Sequence, residues 1–168
     1  MIIFKIMNEK LLHFIWKNKL FNQQDLVTTG GEKIQIVNCG QHNTNAGADF
    51  QHAKIRIGKT LWAGNVEIHI QSKDWFAHKH EQDSAYDNVI LHVVYESNNP
   101  VAKRTTGEPV ATLELKQRIN AATIYRFEEL AKRKAWIPCS KFIKEVDEFT
   151  IKSFQERLLI ERLEKKVE

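Results

Sequence analysis

"FQHAKIRIGKTLWAGNVEIHI" runs from Phe50 to Ile70, and its reading decides the fold. Gly58 and Lys59 form a two-residue turn between two runs of alternating residues, so the stretch folds back on itself as a β-hairpin. On the first arm Ala53, Ile55 and Ile57 face a core, while Lys54 and Arg56 face solvent. On the second arm Trp62, Val66, Ile68 and Ile70 make the apolar face, which leaves Asn65, Glu67 and His69 together on the other. A sheet built on this ribbon carries a glutamate and a histidine side by side.

The flanks supply the rest of the fold. From Asn8 to Leu20, Leu11, Leu12, Ile15, Trp16 and Leu20 recur at helical spacing behind a capping asparagine. Ile34 and Ile36 alternate with Lys33 and Gln35 as a strand, and "QHNTNAGAD" is a polar loop ending at Asp49. After the hairpin, Ser72 is placed to cap a short helix in "SKDWFAHKH". "NVILHVVYE" is apolar on both faces apart from His92, as a covered central strand is. A turn-rich connector leads to a strand over Val110–Leu115, expected antiparallel to its predecessor, and two amphipathic helices close the chain. The expected class is α/β, more narrowly α+β: a mixed sheet with flanking helices over residues 1–116, then a helical segment over 117–168.

A chain of 168 residues with 42% hydrophobic and 27% charged residues can bury a real core, which argues against a disordered or fibrous protein. A net charge of +4 leans toward polyanionic partners, although the one dense basic patch, Lys132 to Lys134, reads as a solvated helix end. Cys39 and Cys139 are too distant in sequence for a CxxC metal motif and make no disulfide framework. Lys5, Glu9, Lys10 and His13 interrupt the apolar N-terminus before a signal core or membrane span forms, so the expected location is cytoplasmic, with no membrane partner. In the last helix Ile151, Phe154, Leu158, Leu159 and Leu163 form a stripe, expected to pack on a neighbouring copy or to protrude.

The chemistry concentrates near the hairpin. The order helix, strand, strand, strand, short helix, strand, with Asp49 opening the second strand and Glu67-Ile68-His69 in the third, resembles the core of the PD-(D/E)xK nuclease superfamily, the restriction-endonuclease-like fold. That resemblance implies a Mg2+ or Mn2+ ion on Asp49 and Glu67, with His69 orienting or deprotonating water. Its substrate would be nucleic acid, with Lys54, Arg56 and Lys73 as phosphate contacts. Ala48 stands where that pattern has proline and His69 where it has lysine, which points toward weakened activity. A regular hairpin also places Asp49 on the face opposite Glu67, so a bulge or strand end is required there.

A second constellation is richer in nitrogen. His69, His78, His80 and Asp83, with buried His92, suit Zn2+, Mn2+ or Fe2+ in an enzyme acting on a small molecule, although HxH alone is a weak signal. The plain alternative is that the polar residues decorate a solvated strand, His92 is a core histidine, and Trp62 and Trp75 only pack. A binding module that keeps the fold without the chemistry remains the non-catalytic alternative.

The phrases "NAGADFQHAKIRIG", "WAGNVEIHIQSKDWFAHKH", "AYDNVILHVVYE" and "ERLLIERLEKK" resemble a bacterial family of unknown function over essentially the whole chain. Its members are longer and continue into a helical region, which implies that this chain corresponds to their N-terminal part. In that family the position of Ala48 is usually proline, closer to the nuclease pattern. The resemblance implies no activity.

Overall fold

The computed structural model describes residues 7–98, 100–132 and 143–167. Two compact units divide between Tyr125 and Arg126. Cys139, Arg133 and Lys134 lie outside the described residues.

In the first unit, α1 spans Glu9–Lys17, and the Asn8 side chain accepts from the Leu11 amide at 2.9 Å. Leu11, Leu12, Ile15 and Trp16 are buried along one face, and α1 packs on the sheet through them. Trp16 Nε1 donates to the Cys39 carbonyl at 3.0 Å, which satisfies the indole's polar end.

The strands are β1 (Ile34–Asn38), β2 (Gln41–His42), β3 (Phe50–Ile57), β4 (Thr60–Gln71), β5 (Val89–Glu96) and β6 (Thr112–Glu114). Their order is β1-β3-β4-β5-β6, with β2 on the start of β3. β1, β3 and β4 are antiparallel neighbours, whereas β4 with β5 and β5 with β6 are parallel. This is a mixed sheet of the α+β class. Residues 26–29 reach β1 through Ile34 N to Leu26 O at 2.8 Å and β6 through Thr29 N to Thr112 O at 2.8 Å. The sheet is therefore curled, with its two outer strands tied to one short segment.

Three expectations need correction. β6 runs parallel to β5, because the connector between them, described over residues 100–111, brings the chain back before β6 begins, and a parallel pair needs such a crossover. Arg104 pins this return, donating from Nε to Asp87 O at 2.9 Å and from Nη2 to Val89 O at 3.0 Å. Ser72 does not cap the short helix α2 (Asp74–Ala77): its Oγ donates to Asn98 Oδ1 at 3.0 Å, and Lys73 occupies the cap position with no side-chain bond. Trp62 is 45% exposed, so of the two tryptophans weighed as packing residues only Trp75 is buried.

Gly64 lets β4 approach β5 where their register slips between Asn65 and Val66. A Cβ there would stand 2.5 Å from Ile90 Cγ2 and 2.6 Å from the Asn88 carbonyl. Gly64→Ala is expected to destabilise the fold by about 1–3 kcal/mol, read as a lower urea midpoint at unchanged slope.

The hairpin turn falls at Gly58-Lys59, with Ile57 opposite Thr60 and Ala53 opposite Gly64. Beyond Ala53 the register shifts and Phe50 pairs with Val66. His52, at φ 57°, takes up the extra residue in the left-handed region. Continuing from Phe50, residue 49 falls level with residue 67 instead of residue 68. The bulge thus brings Asp49 to Glu67.

In the second unit, α3 (Glu148–Val167) begins at Asp147, whose Oδ1 accepts from the Thr150 amide at 2.9 Å. Its stripe residues Phe154, Leu158, Leu159 and Leu163 are about half exposed, and Phe149 is 80% exposed.

Candidate metal centre

β4 and β5 place the inner part of the site. Their parallel register sets Glu67 beside His92, and the next outward position on β4 is His69. His69 and His92 are both buried, with His69 Nδ1 2.8 Å from His92 Nε2. The outer part comes from the end of α2. Trp75 is fully buried and donates from Nε1 to Lys103 O at 2.9 Å, which ties this short helix to the connector between β5 and β6. Lys79 then turns the chain at φ 61°, so that His78 and His80, one residue apart, both reach His69.

His69 Nε2 lies 3.1 Å from His78 Nδ1, and one ring nitrogen from each of His69, His78 and His80 lies within 4.8 Å of the others. Glu67 Oε1 stands alongside, 3.3 Å from His80 Nε2 and 3.6 Å from His69 Nε2. Aromatic rings hold the histidines in place: Tyr86 lies over His80 with centroids 3.7 Å apart, and Trp75 meets both His80 and His92 at 5.3 and 5.2 Å. His69 and His80 are buried and His78 is exposed, so the cluster opens to solvent on one side.

Asp49 and Glu67 do converge, but through the backbone. Glu67 Oε2 accepts from the Asp49 amide at 3.1 Å, and Asp49 Oδ2 accepts from the Ile68 amide at 3.0 Å. The same Asp49 oxygen lies 3.2 Å from His13 Nε2 on α1. In the sequence His13 is only an interruption of an apolar run. Its place between buried Leu12 and Ile15 hints at partial burial, but nothing in the sequence links it to Asp49.

Burial governs the electrostatics. It pushes the His69 pKa from 6.5 to about 2, with the surrounding imidazoles adding to the effect, and that of His92 to about 3. Both rings are neutral at pH 7, the form that binds a metal. Burial likewise raises the Glu67 carboxyl, while the contact with His80 pulls the other way. For His13, burial would lower the pKa, but the bond to Asp49 and nearby carboxylate charge outweigh it and leave the ring raised.

Other residues singled out in the sequence stand apart from the cluster. Asp83 is exposed, and its Oδ1 accepts from the Ala85 amide at 2.9 Å. Lys54 and Arg56 are exposed on β3, opposite Ala63 and Leu61 of β4, and Lys73 is exposed before α2.

The donor set has a chemical reading. Four ligands at 2.0–2.1 Å around a tetrahedral ion lie about 3.3 Å from one another. The His69–His78 separation of 3.1 Å is close to that edge, and the three ring nitrogens lie within 4.8 Å of one another. Three imidazoles suit Zn2+, Mn2+ or Fe2+ better than Mg2+, which prefers oxygen.

The family model described as "Protein of unknown function (DUF2851)" matches residues 9–168. The chain belongs to this family. No curated protein and no solved structure matches it. Membership in DUF2851 carries no activity, so the reading of the site rests on its geometry. No helix among the described residues is long and apolar enough to cross a membrane.

Proposed function

We propose that this chain is a metal-dependent hydrolase of phosphodiesters, with a transition-metal ion on His69, His78 and His80. The observation that supports it is the convergence of three ring nitrogens within 4.8 Å beside a buried glutamate. Three histidines leave a coordination position for water, as catalytic zinc sites do. An ion held there would supply the acidification of that water, and Glu67, whose carboxyl is raised by burial and stands 3.3 Å from His80 Nε2, would accept the proton. His69 is a ligand in this reading, and Asp49 ties the residue before β3 to β4 beside Glu67. A phosphodiester substrate, with nucleic acid as its source, is supported by the nuclease-like order of elements and by the exposed cations of β3. Lys54 pairs with Ala63, four residues along β4 from Glu67, or about 13 Å at strand rise.

Zn2+ at one hundred times its dissociation constant should stabilise the protein by about 2.7 kcal/mol, seen as a higher melting temperature. His78→Ala, at an exposed position, should abolish that gain while leaving the metal-free melt unchanged. Melts indifferent to Zn2+, Mn2+ and Fe2+ alike would count against the centre.

A second reading places Mg2+ on Asp49 and Glu67, as in the nuclease superfamily, and the bulge that levels these residues favours it. Stabilisation and turnover with Mg2+, unaffected by His78→Ala, would select it. An ion bound without hydrolysis of DNA, RNA or a simple diester would select the non-catalytic binding module.

A further inference from the structure

His92 is wholly buried and touches no proposed ligand except His69, and its Nδ1 has no hydrogen-bond partner among the described residues. A single proton lies between His69 Nδ1 and His92 Nε2, and its owner decides what His69 presents at its other nitrogen. If His92 donates, the proton of neutral His69 sits on Nε2, where His78 Nδ1 at 3.1 Å and Glu67 Oε1 at 3.6 Å face it. No ion can bind that nitrogen. If His69 donates instead, its Nε2 lone pair is free for an ion, and the proton of His92 moves to Nδ1.

The two arrangements differ in what they bury. The first leaves a lone pair at His92 Nδ1, and the second leaves an N–H with no acceptor among the described residues. An orphaned buried donor is the rarer and less favourable of the two. The metal-free pair therefore rests in the first arrangement.

We propose that His69 and His92 form a tautomeric couple that gates the ion: both carry their proton on Nε2 without metal and on Nδ1 with it. This rests on the metal reading above and adds the regulation of that site. The proton count balances. As the ion arrives, His92 Nε2 passes its proton to His69 Nδ1, His69 Nε2 loses its proton, and His92 Nδ1 gains one from water during a transient opening of its buried surroundings. The net charge of the pair does not change. His92 is thus a positioning residue, and its acceptor nitrogen in the loaded state is what holds His69 in the binding tautomer, as outer hydrogen bonds do for metal-bound histidines.

The test is long-range 1H–15N NMR of the imidazoles in the full chain, with and without Zn2+, together with Zn2+ affinity by competition with a chelating dye. Without metal, both rings should show the Nε2–H pattern, and with Zn2+ both should show the Nδ1–H pattern. His92→Leu removes the acceptor and should weaken Zn2+ binding about 10–100-fold. His92→Gln restores an acceptor oxygen near the position of Nε2, and its affinity should return to within a few-fold of wild type. Zn2+ binding with no change of tautomer at His92, or a His92→Leu variant as tight as wild type, overturns the couple while leaving the metal centre standing. A wild-type chain that binds no Zn2+ overturns both. Should the Leu variant fail to fold, the wild-type spectra alone decide.

Discussion

On taking the metal-free protein from pH 7 to pH 4.5, the two buried imidazoles His69 and His92 are expected to withdraw roughly 5 kcal/mol of stability, a loss that Glu67 and His13 partly offset. The sign follows from the two buried imidazoles. His69 and His92 titrate at about 2 and about 3 when folded, against 6.5 in an unfolded chain. Between those values the unfolded chain binds more protons, so stability is full above pH 6.5 and is lost as the pH falls below it. Each histidine contributes about 1.4 kcal/mol per pH unit over that range. Glu67 and His13, whose folded pKa values are raised, act in the opposite sense: protonation favours the folded state for both. The histidine pair dominates because its displacement is the large one. Trp75 lies against both rings, so tryptophan fluorescence and circular dichroism should report one transition on acidification. His92→Gln should make that transition shallower. Stability that stays level from pH 7 to pH 4.5 would show that these rings are not kept neutral by the fold.

Glu67→Gln is expected to lower phosphodiester turnover by about a hundred- to ten-thousand-fold while Zn2+ still binds. Glutamine preserves the shape and can still accept the Asp49 amide proton, but it cannot take a proton from water. The base and ligand roles thus separate: loss of turnover with Zn2+ affinity near wild type marks a base, whereas loss of both marks a ligand. Hydrolysis of bis(p-nitrophenyl) phosphate and of single-stranded DNA, each with Zn2+ and Mn2+, supplies the readout. Equal rates for wild type and Glu67→Gln would remove Glu67 from the chemistry.

The elements were legible where a period was long enough to read. Alternation on either side of Gly58-Lys59 sets the β3–β4 turn, the stripe of Leu11, Leu12, Ile15 and Trp16 sets α1, and the doubly apolar run around His92 sets a central strand. The direction of β6 was not legible, because it depends on the path of residues 100–111. That path is held by Arg104 and by the Trp75–Lys103 bond, which join segments distant in sequence. Ser72 followed the same rule, since its partner Asn98 lies 26 residues away.

The candidate site divides in the same manner. By itself the sequence determined which side chains are available: Glu67 and His69 on one strand face, His78 and His80 one residue apart, and a lone polar His92 in an apolar strand. These follow from local periodicity, which is a property of neighbouring residues. Only the tertiary structure decided which of them meet. The bulge at His52 moved Asp49 level with Glu67, α1 delivered His13 to the Asp49 carboxylate, and the left-handed turn at Lys79 aimed His78 and His80 back at His69. Each of these contacts depends on packing between elements, and the energy that fixes it comes from side chains such as Trp75 and Trp16 that no local pattern connects to the site.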